Sequence, residues 1–265
     1  MRIAFYTLGC KTNQYETQAM EQLLEKAGCE IGSFEEKNDA YVINTCSVTA
    51  IADKKNRAMI RRCRREHPGA VIGVCGCYTQ HDPEAVRALG VDVLGGSGGR
   101  QVFLEDLMAA LEGKTHTDHL DNALGRREFE ILPPGGLEER TRAMLKVQDG
   151  CVNFCSYCII PYTRGRLRSL PIADAVEETA RLDAGGYKEL VLTGIEVASY
   201  GRDLPEKPGL ADVICAVTKA APDMRIRLGS LEPTVITEDF CRRLAETGKL
   251  CRHFHLSLQS GCDRT

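Results

Sequence analysis

Apolar runs alternate with amphipathic stretches over the first ~115 residues, and this alternation restricts the chain to few folds. RIAFYTLG (2–9), CEIGSF (29–34), AYVINT (40–45), AVIGVCG (70–76) and VDVLGG (91–96) read as strands. Between them, QYETQAMEQLLEKAG (14–28) sets Met20, Leu23, Leu24 and Ala27 on one helical face ahead of a glycine stop. AIADKKNRAMIRRCRREH (50–67) reads as a basic helix closed by Pro68-Gly69. PEAVRALG (83–90) and RQVFLEDLMAALEGK (100–114) supply two more. Strands separated by whole helices cannot pair as tight hairpins, so the pattern predicts an α/β fold with a doubly wound parallel sheet.

The rhythm breaks at THTDHLDNALGRREFEILPPGGLEER (115–140), a polar stretch with a turn at Pro133-Pro134-Gly135-Gly136. His116 and His119 fall in it and are expected to face solvent. The expected organisation is a first domain over 1–118, a linker over 119–140 and a second domain over 141–265. The second domain repeats strand and helix. RAMLKVQDG (142–150), KELVLTGIEV (188–197), MRIRLGSLEP (224–233) and HFHLSLQSG (253–261) read as strands, with helices between them. The helix after the third strand has Thr237 as its candidate N-cap. Four such repeats predict a partial (β/α) barrel, because four strands cannot close one.

Composition adds exclusions. Lys+Arg 34 against Asp+Glu 37 leaves a net charge of −3, and 43% hydrophobic with 27% charged residues is ordinary for a globular chain. No apolar run approaches the roughly 18 residues of a membrane span. MRIAFYTLGC lacks the basic and apolar regions of a secretory signal, so a cytoplasmic protein with no membrane partner is expected.

Thirteen cysteines in 265 residues is about 5%, below the roughly 8–10% of small disulfide scaffolds. The spacing therefore has to assign them. Cys151, Cys155 and Cys158 form C-x3-C-x2-C in the loop after the first strand of the second domain. Three thiolates would leave one iron of a [4Fe–4S] cube open to a small molecule. A zinc knuckle and unconnected thiols are the alternatives, although no Cys or His follows before Cys215 to complete a zinc site. Cys10, Cys46 and Cys77 end or follow strands one, three and four. In a flavodoxin-like strand order those strands are neighbours, and ligands sit at carboxyl ends. Three distant cysteines could then meet, with Cys75 as a rival for Cys77 and core packing as the alternative for each.

C-x3-C-x2-C on the first strand of a partial barrel resembles the radical S-adenosylmethionine enzymes. GCKTNQYET (9–17), NTCSVTAIADKK (44–55) and GCYTQ (76–80) resemble the N-terminal domain of the methylthiotransferases, and CSYCIIPYTRGRLRS (155–169) their radical loop. LTGIEVASYG, RIRLGSLEP and HFHLSLQSGCDRT look most like the subgroup acting on threonylcarbamoyladenosine in tRNA. Val152 departs from the loop pattern, where a polar residue is usual. The resemblance implies two [4Fe–4S] clusters, a radical cluster on Cys151, Cys155 and Cys158 and an auxiliary cluster on Cys10, Cys46 and Cys77. It implies S-adenosylmethionine as cofactor, with Tyr157, Gly194, Glu232 and Gln259 as candidate contacts. It further implies methylthio insertion at carbon 2 of an adenosine beside the anticodon, an electron donor such as flavodoxin or ferredoxin, and a sulfur donor. Isopentenyladenosine in tRNA and a ribosomal-protein Asp are the rival substrates. A non-catalytic iron–sulfur protein that binds RNA or transfers electrons is the rival class. The family continues with the rest of the barrel and an RNA-binding β domain, so this stretch alone is expected to be inactive on tRNA.

Lys54, Lys55, Arg57, Arg61, Arg62, Arg64 and Arg65 concentrate seven cations on the basic helix. A solvated helix face and a phosphate-binding face both fit them. Arg164, Arg166 and Arg168 follow the cluster loop and are candidates for tRNA or the cofactor carboxylate.

Overall fold

The computed structural model describes residues 1–114, 118–133, 135–136 and 141–264. The chain divides into one unit of Met1–Arg126 with Cys151–Arg166 and another of Arg127–Gly150 with Leu167–Thr265.

The first unit holds a five-stranded sheet. Its strands are β1 (Arg2–Thr7), β2 (Glu30–Gly32), β3 (Ala40–Thr45), β4 (Val71–Gly76) and β5 (Val93–Leu94), in the order β2-β1-β3-β4-β5. Every pairing is parallel. The expected order is therefore present, with β1, β3 and β4 side by side. β3 is buried along its whole length, as a central parallel strand requires. The outer strands are shorter than their apolar runs, because each pairs on one side only.

Helices α1 (Lys11–Lys26), α2 (Ala50–Glu66), α3 (Cys77–His81), α4 (Pro83–Arg87) and α5 (Arg100–Leu111) connect or follow these strands, and α6 (Ile160–Arg164) packs in the same unit. The two sheet faces carry separate apolar clusters. Met20 and Leu24 of α1 join Phe103, Leu104 and Leu107 of α5 over one face. Ile60 and Cys63 of α2 join Tyr78 and Val86 over the other. The GGSGGR stretch is a turn into α5, with Gly99 in the left-handed region at φ +65°.

The second unit has four sheet strands: β6 (Gly135–Gly136), β7 (Arg142–Lys146), β10 (Glu189–Thr193) and β11 (Arg225–Leu228), ordered β11-β10-β7-β6. Two short pairs complete it: β8 (Gln148–Asp149) with β9 (Arg168–Ser169), and β12 (Ser230–Leu231) with β13 (His255–Leu256). Helices α7 (Ile172–Ala184), α8 (Leu210–Ala220) and α9 (Glu238–Glu246) alternate with the strands. Thr237 caps α9 by accepting from the Phe240 N–H at 3.2 Å.

Two local expectations change. The expected turn at 133–136 contains β6, whose glycines pair antiparallel with Met144 and Ala143; Pro134 lies outside the described residues, as does His116, while His119 is exposed. HFHLSLQSG pairs for two residues only. Its apolar positions explain this: Phe254, Leu256 and Leu258 are exposed, so no face of the run is buried to extend the pairing.

The amino ends of β7, β10 and β11 meet at Glu189. Arg142, Arg225 and Arg227 reach its carboxylate at 2.6, 2.5 and 2.7 Å. Burial pushes this carboxyl up, but Arg227, Arg225 and Arg142 outweigh it and hold it at about 2. In barrels this end of the strands serves stability rather than chemistry. The folded value lies below the ordinary 4.5, so the stabilisation is complete above about pH 4.5 and is lost as pH falls toward 2. Glu189→Gln is expected to cost about 1–3 kcal/mol at neutral pH and to flatten acid unfolding in that window. Urea midpoints measured from pH 5 to 2.5 check it; parallel pH profiles for both proteins would remove Glu189 from the account.

Candidate iron–sulfur centres

The first site grows from the carboxyl edge of the sheet. Cys10 caps α1 directly after β1, Cys46 follows β3, and Cys77 opens α3 directly after β4. Cys10 is exposed, whereas Cys46 and Cys77 are 7% and 3% exposed. Gly9 and Gly76 turn the chain just before Cys10 and Cys77 with φ +126° and +110°. A side chain at Gly76 would lie 2.4 Å from the Thr45 carbonyl oxygen and 2.7 Å from Asn44 Oδ1. Gly76→Ala is therefore expected to destabilise the first unit by about 1–3 kcal/mol and to lower the iron the chain takes up on reconstitution. Thermal unfolding together with iron content checks this; normal iron uptake with an unshifted midpoint would contradict it.

Asn13 ties the Cys10 and Cys46 turns together. Its Nδ2 donates to Asn44 Oδ1 at 3.2 Å and to the Thr45 carbonyl at 2.9 Å, and its Oδ1 accepts from Cys10 Sγ at 3.3 Å. Asn56 donates to the Cys46 carbonyl at 2.6 Å. Beneath them lies a buried charge cluster. Glu16, Arg100 and Arg164 are all fully buried, and Glu16 accepts from Arg100 at 2.6 Å and from Arg164. Arg164 Nε also donates to Cys77 Sγ at 3.1 Å. Burial pushes the Cys77 thiol up, and Arg164 pulls it down. Cys46 is likewise raised by burial, against a Val48 N–H and Arg164.

This donor set fits an anionic iron–sulfur cube. The thiols share one edge, and cationic and amide groups face their sulfurs. Among the described residues no three His, Cys, Asp or Glu side chains converge as ligands of a single metal ion; a cube takes its thiolates at separate corners. The rival Cys75 sits in the apolar cluster of β4 with Phe103 and Leu107, and burial drives it to about 11. Cys63, driven to about 12, is a second inert core thiol.

Cys151, Cys155 and Cys158 lie on an irregular segment that leads into α6. Cys151 N–H donates to the Gly165 carbonyl at 3.0 Å and Cys158 N–H to the Cys155 carbonyl at 2.9 Å, which closes the loop on itself. Phe154 takes φ +46° and stacks edge-on against Tyr162 at 5.8 Å. Cys155 is exposed and the other two are half-buried, and Tyr157 is 75% exposed. Three thiols on one short, accessible loop fit a cube that keeps a corner open.

In the second unit, Gly194 follows β10, Glu232 follows β12, and exposed Gln259 lies three residues past β13. The pattern missed Gln148. It is fully buried at the start of β8, two residues past β7, and accepts from the Ile195 and Glu196 N–H groups at 2.9 and 2.6 Å. Its Nε2 donates to the Asp149 and Gly150 carbonyls. A side chain at Gly194 would meet Gln148 within 2.8 Å. Lys146, also fully buried, pairs with Asp149 at 3.2 Å, as Arg168 does at 3.4 Å.

The basic residues separate. Arg164 and Arg168 are buried and paired with Glu16 and Asp149, so both point into the fold rather than toward phosphates. Arg57 donates to Tyr78 Oη, Arg62 pairs with Glu66 and Glu35, Arg64 with Asp92, and Arg65 with Glu66. Lys54, Lys55 and Arg61 are exposed and make no ion pair among the described residues. Arg166 is exposed.

Residues 2–95 match the family model described as Uncharacterized protein family UPF0004, and residues 145–265 match the Radical SAM superfamily. The chain is 41% identical over 261 residues to the threonylcarbamoyladenosine tRNA methylthiotransferase MtaB of Bacillus subtilis, covering 98% of this chain and 58% of that protein. It is 34% identical to MtaB of Aquifex aeolicus, covering 64% of it. It is 33% identical to the tRNA-2-methylthio-N(6)-dimethylallyladenosine synthase of Clostridium tetani, covering 97% of this chain and 58% of that protein. The chain thus spans about three-fifths of the length of these relatives. Its fold is similar to the radical S-adenosylmethionine methyltransferase TsrM of Kitasatospora setae, with a TM-score of 0.64 at 18% identity over 99% of this chain and 60% of that one. The two domain matches, in this order and with this level of identity, show that the chain belongs to the radical S-adenosylmethionine methylthiotransferase family, of the MtaB type.

Proposed function

We propose that this chain carries the two cluster sites of a tRNA methylthiotransferase that modifies carbon 2 of threonylcarbamoyladenosine beside the anticodon. The observation that carries the reading is the placement of Cys10, Cys46 and Cys77 just past the carboxyl ends of the adjacent strands β1, β3 and β4, in a chain that also has the C-x3-C-x2-C loop. When bound, a [4Fe–4S] cluster on Cys151, Cys155 and Cys158 with S-adenosylmethionine would supply the radical chemistry for hydrogen abstraction, and a second cluster on the other three cysteines would carry the sulfur or methylthio group that is delivered. The protein's own part is positioning. Gly9, Gly76 and Gly150 turn the chain with positive φ so that the following cysteines face their sites. Gln148 holds the backbone after two barrel strands in one arrangement. Gly194, Glu232, Gln259 and Tyr157 are our candidates for contact with S-adenosylmethionine. Lys54, Lys55 and Arg61, with Arg166, are our candidates for tRNA phosphates, and a base in the anticodon loop is unpaired enough to be splayed into a site. A reductant such as flavodoxin or ferredoxin and a sulfur donor complete the partners. No helix among the described residues is long and apolar enough to cross a membrane, and tRNA as substrate supports a cytoplasmic location.

The 41% identity to MtaB of Bacillus subtilis, against 33% to the dimethylallyladenosine synthase of Clostridium tetani, supports threonylcarbamoyladenosine over dimethylallyladenosine. Mass spectrometry of tRNA nucleosides from a strain lacking the full-length protein tests this. Loss of the methylthio mark from threonylcarbamoyladenosine is expected; loss from isopentenylated adenosine overturns the substrate. In the full-length protein, Cys46→Ala is expected to keep 5′-deoxyadenosine formation and to lose the methylthiolated product. Unchanged product would remove the auxiliary site from the reaction.

A further inference from the structure

We propose that Arg164 is a positioning and charge-compensating residue of the Cys10–Cys46–Cys77 centre, setting its reduction potential through Cys77. This rests on the reading that those three thiols hold a cluster. The guanidinium is fully buried and its fork is fully used. Nε donates to Cys77 Sγ at 3.1 Å, Nη2 to Asn13 Oδ1 at 3.0 Å, and Nη1 to Glu16. The same Asn13 Oδ1 accepts from Cys10 Sγ, and Asn13 Nδ2 holds the Thr45 carbonyl, just before Cys46. One arginine is therefore in contact with one ligand and a single amide away from the turns of the other two.

The charge environment points the same way. Arg100 and Arg164 both pair with the buried Glu16. A buried cation is costly unless compensating groups lie beside it, and one group beside Arg164 is the Cys77 sulfur. A cationic donor to a ligand sulfur stabilises the reduced, more negative state of a cluster over the oxidised one. Removing that cation lowers the potential. Lysine retains the charge but cannot reproduce the planar three-way fork.

The test uses the 265-residue chain with Cys151, Cys155 and Cys158 all changed to Ala, reconstituted anaerobically with iron and sulfide. Iron retained there reports on the Cys10–Cys46–Cys77 centre alone. Failure to bind iron with Arg164 intact overturns the cluster reading itself. With iron bound, a redox titration followed by electron paramagnetic resonance is run on three further variants. R164M and R164Q, both neutral, are expected to lower the midpoint by at least a tenfold change in the reduced-to-oxidised ratio, about 59 mV for one electron. R164K is expected to fall less than half as far. An unchanged midpoint in the neutral variants overturns the proposal, and so does a lysine variant that falls as far as they do. R164Q keeps the test available if R164M does not bind iron, because the glutamine amide can still reach polar neighbours.

Discussion

Glu16→Gln is expected to destabilise the first unit by about 3–5 kcal/mol, the usual cost of removing one partner from a buried ionic cluster. The substitution keeps shape and size but leaves Arg100 and Arg164 with no carboxylate between them. Both are fully buried, so neither can exchange Glu16 for water. Domains are stable by only about 5–15 kcal/mol, so the loss is a large fraction of the total. Urea unfolding followed by circular dichroism measures it. The double variant E16Q/R100M removes one cation along with the anion and is expected to lose less than the sum of the two single changes. Strict additivity, or an unshifted midpoint in E16Q, would falsify the shared-charge account.

The second large effect is chemical. Cys155→Ala in the full-length protein is expected to remove about half of the reconstituted iron and to reduce 5′-deoxyadenosine formation to background. Its thiol is exposed and lies outside every helix and strand, so stability is expected to change by less than about 0.5 kcal/mol. That contrast separates it from Glu16→Gln: one variant folds normally and does no chemistry, and the other is unstable throughout. Retained deoxyadenosine formation in Cys155→Ala would exclude it as a cluster ligand.

Much of the fold was legible because helix and strand leave different periods in the chain. The run 40–45 was read as a strand and is one, residue for residue, because a central strand is apolar at every position. The neighbouring of β1, β3 and β4 followed from the common order of such sheets. The short edge strands were not legible at their true lengths, since an apolar run says nothing about how many partners it will find. The candidate site was legible only at its cysteines. Glu16 was passed over, although a signal was present: it stands four residues before Met20, so the buried face of α1 carries a carboxylate in register with its apolar residues. Arg100 was read only as the first residue of a helix. Arg164 was read as facing a substrate, because nothing local in CSYCIIPYTRGR reveals that its partners are Asn13, Glu16 and Cys77. Gln148 and Lys146 carried the same kind of signal as Glu16, polar residues at alternate positions of an otherwise buried strand.

The distance along the chain between Cys77 and its arginine gives the site a history. Arg164 follows Cys77 by 87 residues. Chains emerge from the ribosome N-terminus first and fold as they emerge. All three thiols and the strands that carry them are therefore made well before the guanidinium arrives. In that interval Glu16 can pair with Arg100, and the Arg164 contact to Cys77 is still to come. The same stretch of translation that delivers Cys151, Cys155 and Cys158 thus also delivers the cation that meets Cys77.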